Sequence, residues 1–175
     1  MHRDAVISDC GTFRYRLTRV WDAALPKLLF VMLNPSTADD QKNDPTVTKC
    51  IGFATRLGYG GVTIVNLFAF RATDPVNLRL GGYQTGPENN RYIREAMSTH
   101  RSVVFAWGSM KSMARASAMQ IGTVRAIAKQ YERTPMALRM SNGSPHHPLM
   151  LPYSCTAQMI DFERNYEMYL QAEEI

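Results

Sequence analysis

Hydrophobic positions gather in four short runs along this chain, and each run stops in polar residues. They are LLFVMLNPSTAD (28–39), GVTIVNLFAFRATDP (61–75), SVVFAWGSM (102–110) and MALRMSNGSPHHPL (136–149). Each run is too short for a membrane-spanning helix and too continuous for a strand with one wet face, so it suits a strand buried on both faces of a parallel sheet. Residues 12–21, TFRYRLTRVW, alternate instead, and Phe13, Tyr15, Leu17 and Val20 mark a half-buried antiparallel strand. Helical spacing fills the gaps between runs. Asp44 is placed to cap, and Pro45 to open, a helix over 45–57 that Gly58 stops. Further helices are predicted over 87–100, 109–131 and 156–172, the last with Met159, Phe162, Tyr166 and Leu170 on one face. Residues 71–87, rich in Gly and Pro, read as loop.

This order predicts an α/β fold, a three-layer α/β/α sandwich around a central, mostly parallel four-stranded sheet with one extra antiparallel element. No repeat or linker divides the chain, so a single domain is expected over 1–175. Ligands of open α/β sheets bind at the carboxyl ends of the strands. The groups that end the four runs are Asn34-Pro35-Ser36, Asn66 with Arg71, Trp107-Gly108-Ser109, and Ser141 to His147. They are therefore expected at one cleft.

Each group has a plain alternative. Asn34-Pro35 makes a sharp turn, because the residue before proline avoids the α region, and its amide can orient a water or cap an Asx turn. Asn66 interrupts a buried run, where an amide needs a partner, either a structural network or the edge of a ligand base. Ser109 can cap a helix, and a helix N-terminus also attracts phosphate. His146 and His147 sit between Pro145 and Pro148 on a stiff loop. Adjacent side chains diverge, so a metal site is disfavoured and a histidine donating to a developing anion fits better; the plain alternative is a surface turn. The chain has no G-x-S-x-G, no P-loop and no G-x-G-x-x-G. A metal-dependent hydrolase would have to draw on Asp39, Asp40 and Asp44.

Composition narrows the picture further. Hydrophobic residues make up 45% of the 175, as in a globular protein, and the eleven methionines are dispersed as core fillers. The formal charge of +5 favours anionic partners such as nucleic acid or nucleotides. Cys10, Cys50 and Cys155 form no CxxC pair and no metal-ligand spacing, so reduced thiols are expected, with no metal and no cofactor. The opening MHRDAVISDCGTF lacks the apolar core of a signal peptide and no apolar stretch reaches membrane length, which predicts a cytoplasmic protein with no membrane partner. No obligate protein partner is implied.

Taken together, LNPSTAD, the Asp-Pro-Thr at 44–46, GYGGVTIVNLFAFRATDP, GPEN, AWG and the late His-Pro-Leu resemble the domain-of-unknown-function family 1643, from Phe13 to Leu151. The order of motifs is also distantly similar to the uracil-DNA glycosylase superfamily. That resemblance implies a water held by Asn34 and a departing base stabilised by His147, with Asn66 on the base edge. It also implies a substrate-binding set of Pro35, Ser36, Phe68, Arg71, Trp107, Gly108, Ser109, His146 and Pro148. Ser36 stands where the uracil-specific members carry an aromatic, and Leu149 follows His-Pro where serine is usual. The iron–sulfur branch is excluded by the missing four-cysteine pattern. The expected function is recognition of a nucleobase, with hydrolysis of the N-glycosidic bond of a modified base or nucleoside. The alternative is a non-catalytic nucleic-acid or nucleotide-binding module on the same fold.

Overall fold

A computed structural model describes residues 1–108 and 114–161 of the chain. Its strands are β1 (His2–Ile7), β2 (Arg14–Val20), β3 (Lys27–Met32), β4 (Gly61–Asn66), β5 (Val103–Phe105), β6 (Met136–Ala137), β7 (Met140–Ser141), β8 (Ser144–Pro145) and β9 (Gln158–Met159). The helices are α1 (Pro45–Arg56), α2 (Pro75–Leu80), α3 (Asn89–Thr99) and α4 (Ala114–Gln130). The main sheet runs β1-β2-β4-β3-β5-β6-β9, and β7 and β8 form a separate two-stranded pair among the described residues.

The four apolar runs supply β4, β3, β5 and β6, which lie side by side and parallel. The sheet has seven strands, however, not four. β1 and β2 add antiparallel at one edge, and β9 at the other. The alternation in 12–21 marked β2 correctly as antiparallel but understated its burial. β2 pairs on both sides, and even Arg14 and Arg19 are buried on it.

Two apolar clusters flank the strands. Leu29, Val31, Val65 and Phe105 pack with Ile93 and Met97 of α3 and Val124 and Ile127 of α4. Leu28, Phe30, Val62 and Ile64, at alternate positions, pack with Val47, Cys50, Phe53 and Ala54 of α1. α1 begins and ends as its sequence requires: Asp44 Oδ1 accepts from Val47 N–H at 2.8 Å, Pro45 opens the first turn, and Gly58 follows at φ +83°.

Two further expectations need correction. The helix over 156–172 is not present in its described part, where Gln158–Met159 is a strand and Ile160 N–H bonds Pro135. The open edge of β6 needed a partner, and that pairing outweighed the helical spacing. The remainder of that helix and the first residues of the helix over 109–131 lie outside the described residues. Residues 71–87 are not all loop, since Asp74-Pro75 starts the short α2.

Candidate active site

β3 ends at Met32, and the chain turns at Asn34-Pro35. Two backbone bonds tie this turn to the segment after β4: Phe68 N–H to the Leu33 carbonyl at 3.0 Å, and Ala72 N–H to the Pro35 carbonyl at 2.9 Å. The Asn34 side chain closes the same seam. Its Nδ2 donates to the carbonyls of Ala72 at 2.7 Å and Pro35 at 3.1 Å. Its Oδ1 has no partner among the described residues, so an acceptor is left over.

The His146-His147 loop is set by a hairpin. Asn142 and Gly143, at φ 49° and 73°, form the two-residue turn between β7 and β8, a conformation that Asn-Gly favours. Gly108, at φ +87°, follows β5 and donates to the Pro145 carbonyl at 2.9 Å. A Cβ at Gly108 would lie 3.3 Å from the His147 Cβ, so glycine allows both the backbone angle and the close approach of the histidine loop. His147 then caps the 3-10 turn Pro148–Met150, its Nδ1 accepting from Leu149 N–H at 3.3 Å. The ring proton is therefore on Nε2, which has no partner among the described residues. Burial pushes the His147 pKa below its usual value, against the opposing charge of Asp44, so the ring is neutral at pH 7.

These elements enclose a cavity of about 670 Å³. Asn34, Ser36, Trp107, Gly108 and His147 border it, with Met32, Ile64 and Val47 as apolar wall. Of the remaining expected residues, Asn66 is 1% exposed and its Nδ2 has no partner. It does not border the cavity but shares a face of β4 with Ile64, which does. Pro35 supports the seam through its carbonyl, and Pro148 is buried in the turn. Phe68 lies in the cluster on the opposite side of the sheet, against Tyr83. Arg71 bonds the Gly11 carbonyl, and His146 N–H bonds the Arg139 carbonyl, both away from the cavity. Ser109 lies outside the described residues.

Sequence reasoning missed two charged residues that border the cavity, Arg14 and Asp44. Asp44 was visible as a helix cap and as one of the three carboxylates on which a metal-dependent hydrolase would draw. Arg14 looked like one basic residue among many on an alternating strand. It is 3% exposed, its Nη1 donates to the Ala38 carbonyl at 2.8 Å, and its Nε is buried without a partner. Burial lowers the guanidinium pKa to about 10, with Asp44 opposing, so Arg14 remains a cation at pH 7. Among the described residues no three of His, Cys, Asp and Glu are grouped to hold a metal ion.

The model of the family described as "protein of unknown function (DUF1643)" matches residues 14–149. The chain belongs to this family. Comparisons with curated proteins and with solved structures return no match. The DUF1643 match spans the cavity, from Arg14 on β2 to Leu149 in the last turn. No helix among the described residues is long and apolar enough to cross a membrane.

Proposed function

We propose that the cavity receives a nucleobase and that the protein hydrolyses the N-glycosidic bond of a modified base or nucleoside, on a fold related to the uracil-DNA glycosylase superfamily. One observation carries the reading: a free amide oxygen, Asn34 Oδ1, and a neutral histidine with a free Nε2–H border the same cavity. In this reading Asn34 Oδ1 accepts a hydrogen bond from water and orients its oxygen toward the anomeric carbon. The water oxygen bonds that carbon, the C–N bond breaks, and its electron pair leaves with the base. His147 Nε2–H donates to the oxygen on which the departing base carries its charge, and the water's proton ends on the base. A base held in duplex DNA would have to be flipped out to reach the cavity.

The experiment is a screen for base release from modified-base oligonucleotides and free nucleosides, followed by single-turnover rates of variants. Asn34→Ala and His147→Ala are each expected to slow base release by roughly a hundredfold or more while substrate binding changes little, as for interactions made mainly in the transition state. Wild-type rates in both Asn34→Ala and His147→Ala would refute the roles. A second reading, a binding module without turnover, is favoured by one observation: an amide cannot take a proton, and Asp44 Oδ1 is held by Val47 N–H. Binding without base release across the screen would select it.

A further inference from the structure

Arg14 is a buried cation whose hydrogen bonding is incomplete. A guanidinium has five N–H donors in a rigid fork. Here Nη1 bonds the Ala38 carbonyl, Nε has no partner, and no described residue bonds Nη2. Arg14 belongs to none of the ion pairs among the described residues. An unpaired buried donor on a charged group is costly, and the residue that carries this one borders a cavity. The open edge, Nε with Nη2, is the edge that meets two oxygens of one anion in a bidentate pair.

The surroundings suit an oxyanion. The first turn of α1, Pro45 to Val47, borders the same cavity, and the Asp44 carboxylate already occupies its start, so the positive charge for an incoming anion comes from Arg14. Ser36, Thr37, Thr46 and Thr73 add hydroxyls. Asp44 is the carboxylate of this wall, and the Val47 N–H that holds its Oδ1 belongs to the same helix start. The cavity has the volume of a small-molecule site, and Arg14 is nearly inaccessible from outside it. A terminal group can enter, whereas a phosphodiester inside a polymer would bring chain on both sides.

We propose that Arg14 anchors a phosphate monoester, so that the ligand of this cavity is a free nucleoside monophosphate rather than a nucleoside or a polymer. The identity of the remainder of the ligand rests on the nucleobase reading above; the oxyanion site rests on Arg14.

The test is calorimetric titration of the wild-type protein with adenosine, guanosine, cytidine and uridine, each against its 5′-monophosphate, with inorganic phosphate, ribose 5-phosphate and an unphosphorylated dinucleotide as further probes. The monophosphates are expected to bind at least tenfold more tightly than their nucleosides, and inorganic phosphate to compete with them. Arg14→Gln should erase that margin and Arg14→Lys should keep part of it, with folding checked by thermal melting. Should Arg14→Gln not fold, the nucleoside-to-monophosphate margin of the wild type decides alone. Equal binding of nucleosides and monophosphates, or a margin kept in folded Arg14→Gln, overturns the oxyanion site and leaves base recognition standing. Equal binding of ribose 5-phosphate and all the nucleotides supports the oxyanion site and overturns base recognition. A dinucleotide as tight as the monophosphates overturns the monoester, and no binding by any probe overturns the proposal.

Discussion

Arg19 and Arg14 stand on the same strand and are both buried, but they lie toward opposite ends of the parallel strands. Arg19, opposite Val62 near the start of β4, makes five hydrogen bonds. They go to Asn43 Oδ1 at 2.8 Å and to the carbonyls of Asp4, Thr18, Asp39 and Lys42. The Arg14 side chain, beyond the carboxyl end of β4, makes one among the described residues. The buried histidines divide in the same way. His100, before β5, has both ring nitrogens engaged, Nδ1 with the Ala96 carbonyl at 2.8 Å and Nε2 with Thr63 Oγ1 at 2.9 Å. His147 has one ring nitrogen engaged. Residue type is the same in each pair, so type does not separate structure from site. What separates them is whether the polar groups are satisfied by the protein itself. At one end the network is closed and holds the fold; at the other, donors are left for something else.

The arginines should show the largest contrast in stability. Arg19→Gln strips several buried carbonyls of their donor and is expected to destabilise by about 3 kcal/mol or more. Arg14→Gln removes one such bond and an unpaired buried charge, and is expected to cost no more than about 1 kcal/mol. Urea unfolding of both variants checks this, and similar losses in the two would break the comparison.

A smaller difference is expected for the histidines. His100→Ala leaves Thr63 Oγ1 without this partner and opens a cavity, for about 2 kcal/mol, whereas His147→Ala is expected to cost less than about 1 kcal/mol. Acidity sharpens the test. Burial holds both imidazoles below their usual pKa, so both are neutral in the folded protein and take up protons more readily when unfolded. Their contribution is therefore fully present above pH 6.5, the unfolded value, and is lost as pH falls below it toward the folded values. His147→Gln should flatten the decline in stability below pH 6.5 while leaving stability at pH 7.5 nearly unchanged. His100→Gln should lower stability at both. An unchanged pH dependence in His147→Gln would contradict the buried, neutral ring.

Much of this arrangement was legible before the fold was known. The four apolar runs marked the four parallel strands, because a strand covered on both faces cannot hide its composition. The strand-end rule then brought Asn34, Trp107, Gly108 and His147 to one cavity. Edge strands were harder to read. β1 is part-exposed and β9 is two residues long, so neither leaves a hydrophobic pattern, and β9 exists because β6 offered an edge. Phe68 was misplaced because strand alternation ends at Asn66, after which the chain carries Phe68 to the other cluster. Arg14 was missed because a buried, half-bonded arginine has no signature in sequence. The Arg-Tyr-Arg alternation of β2 reads as wet positions, and only packing reveals that two of the arginines are inside.

The proposed function makes the carboxyl ends of the strands the ligand end of this molecule. Nitrogen-15 NMR of the histidine side chains tests it most directly, because one label reports both ends at once. On titration with the nucleosides and their 5′-monophosphates, the Nε2 resonance of His147 should move with saturation, while both resonances of His100 should stay within their unliganded positions. A bound ligand that shifts His100 and leaves His147 unmoved would contradict the account.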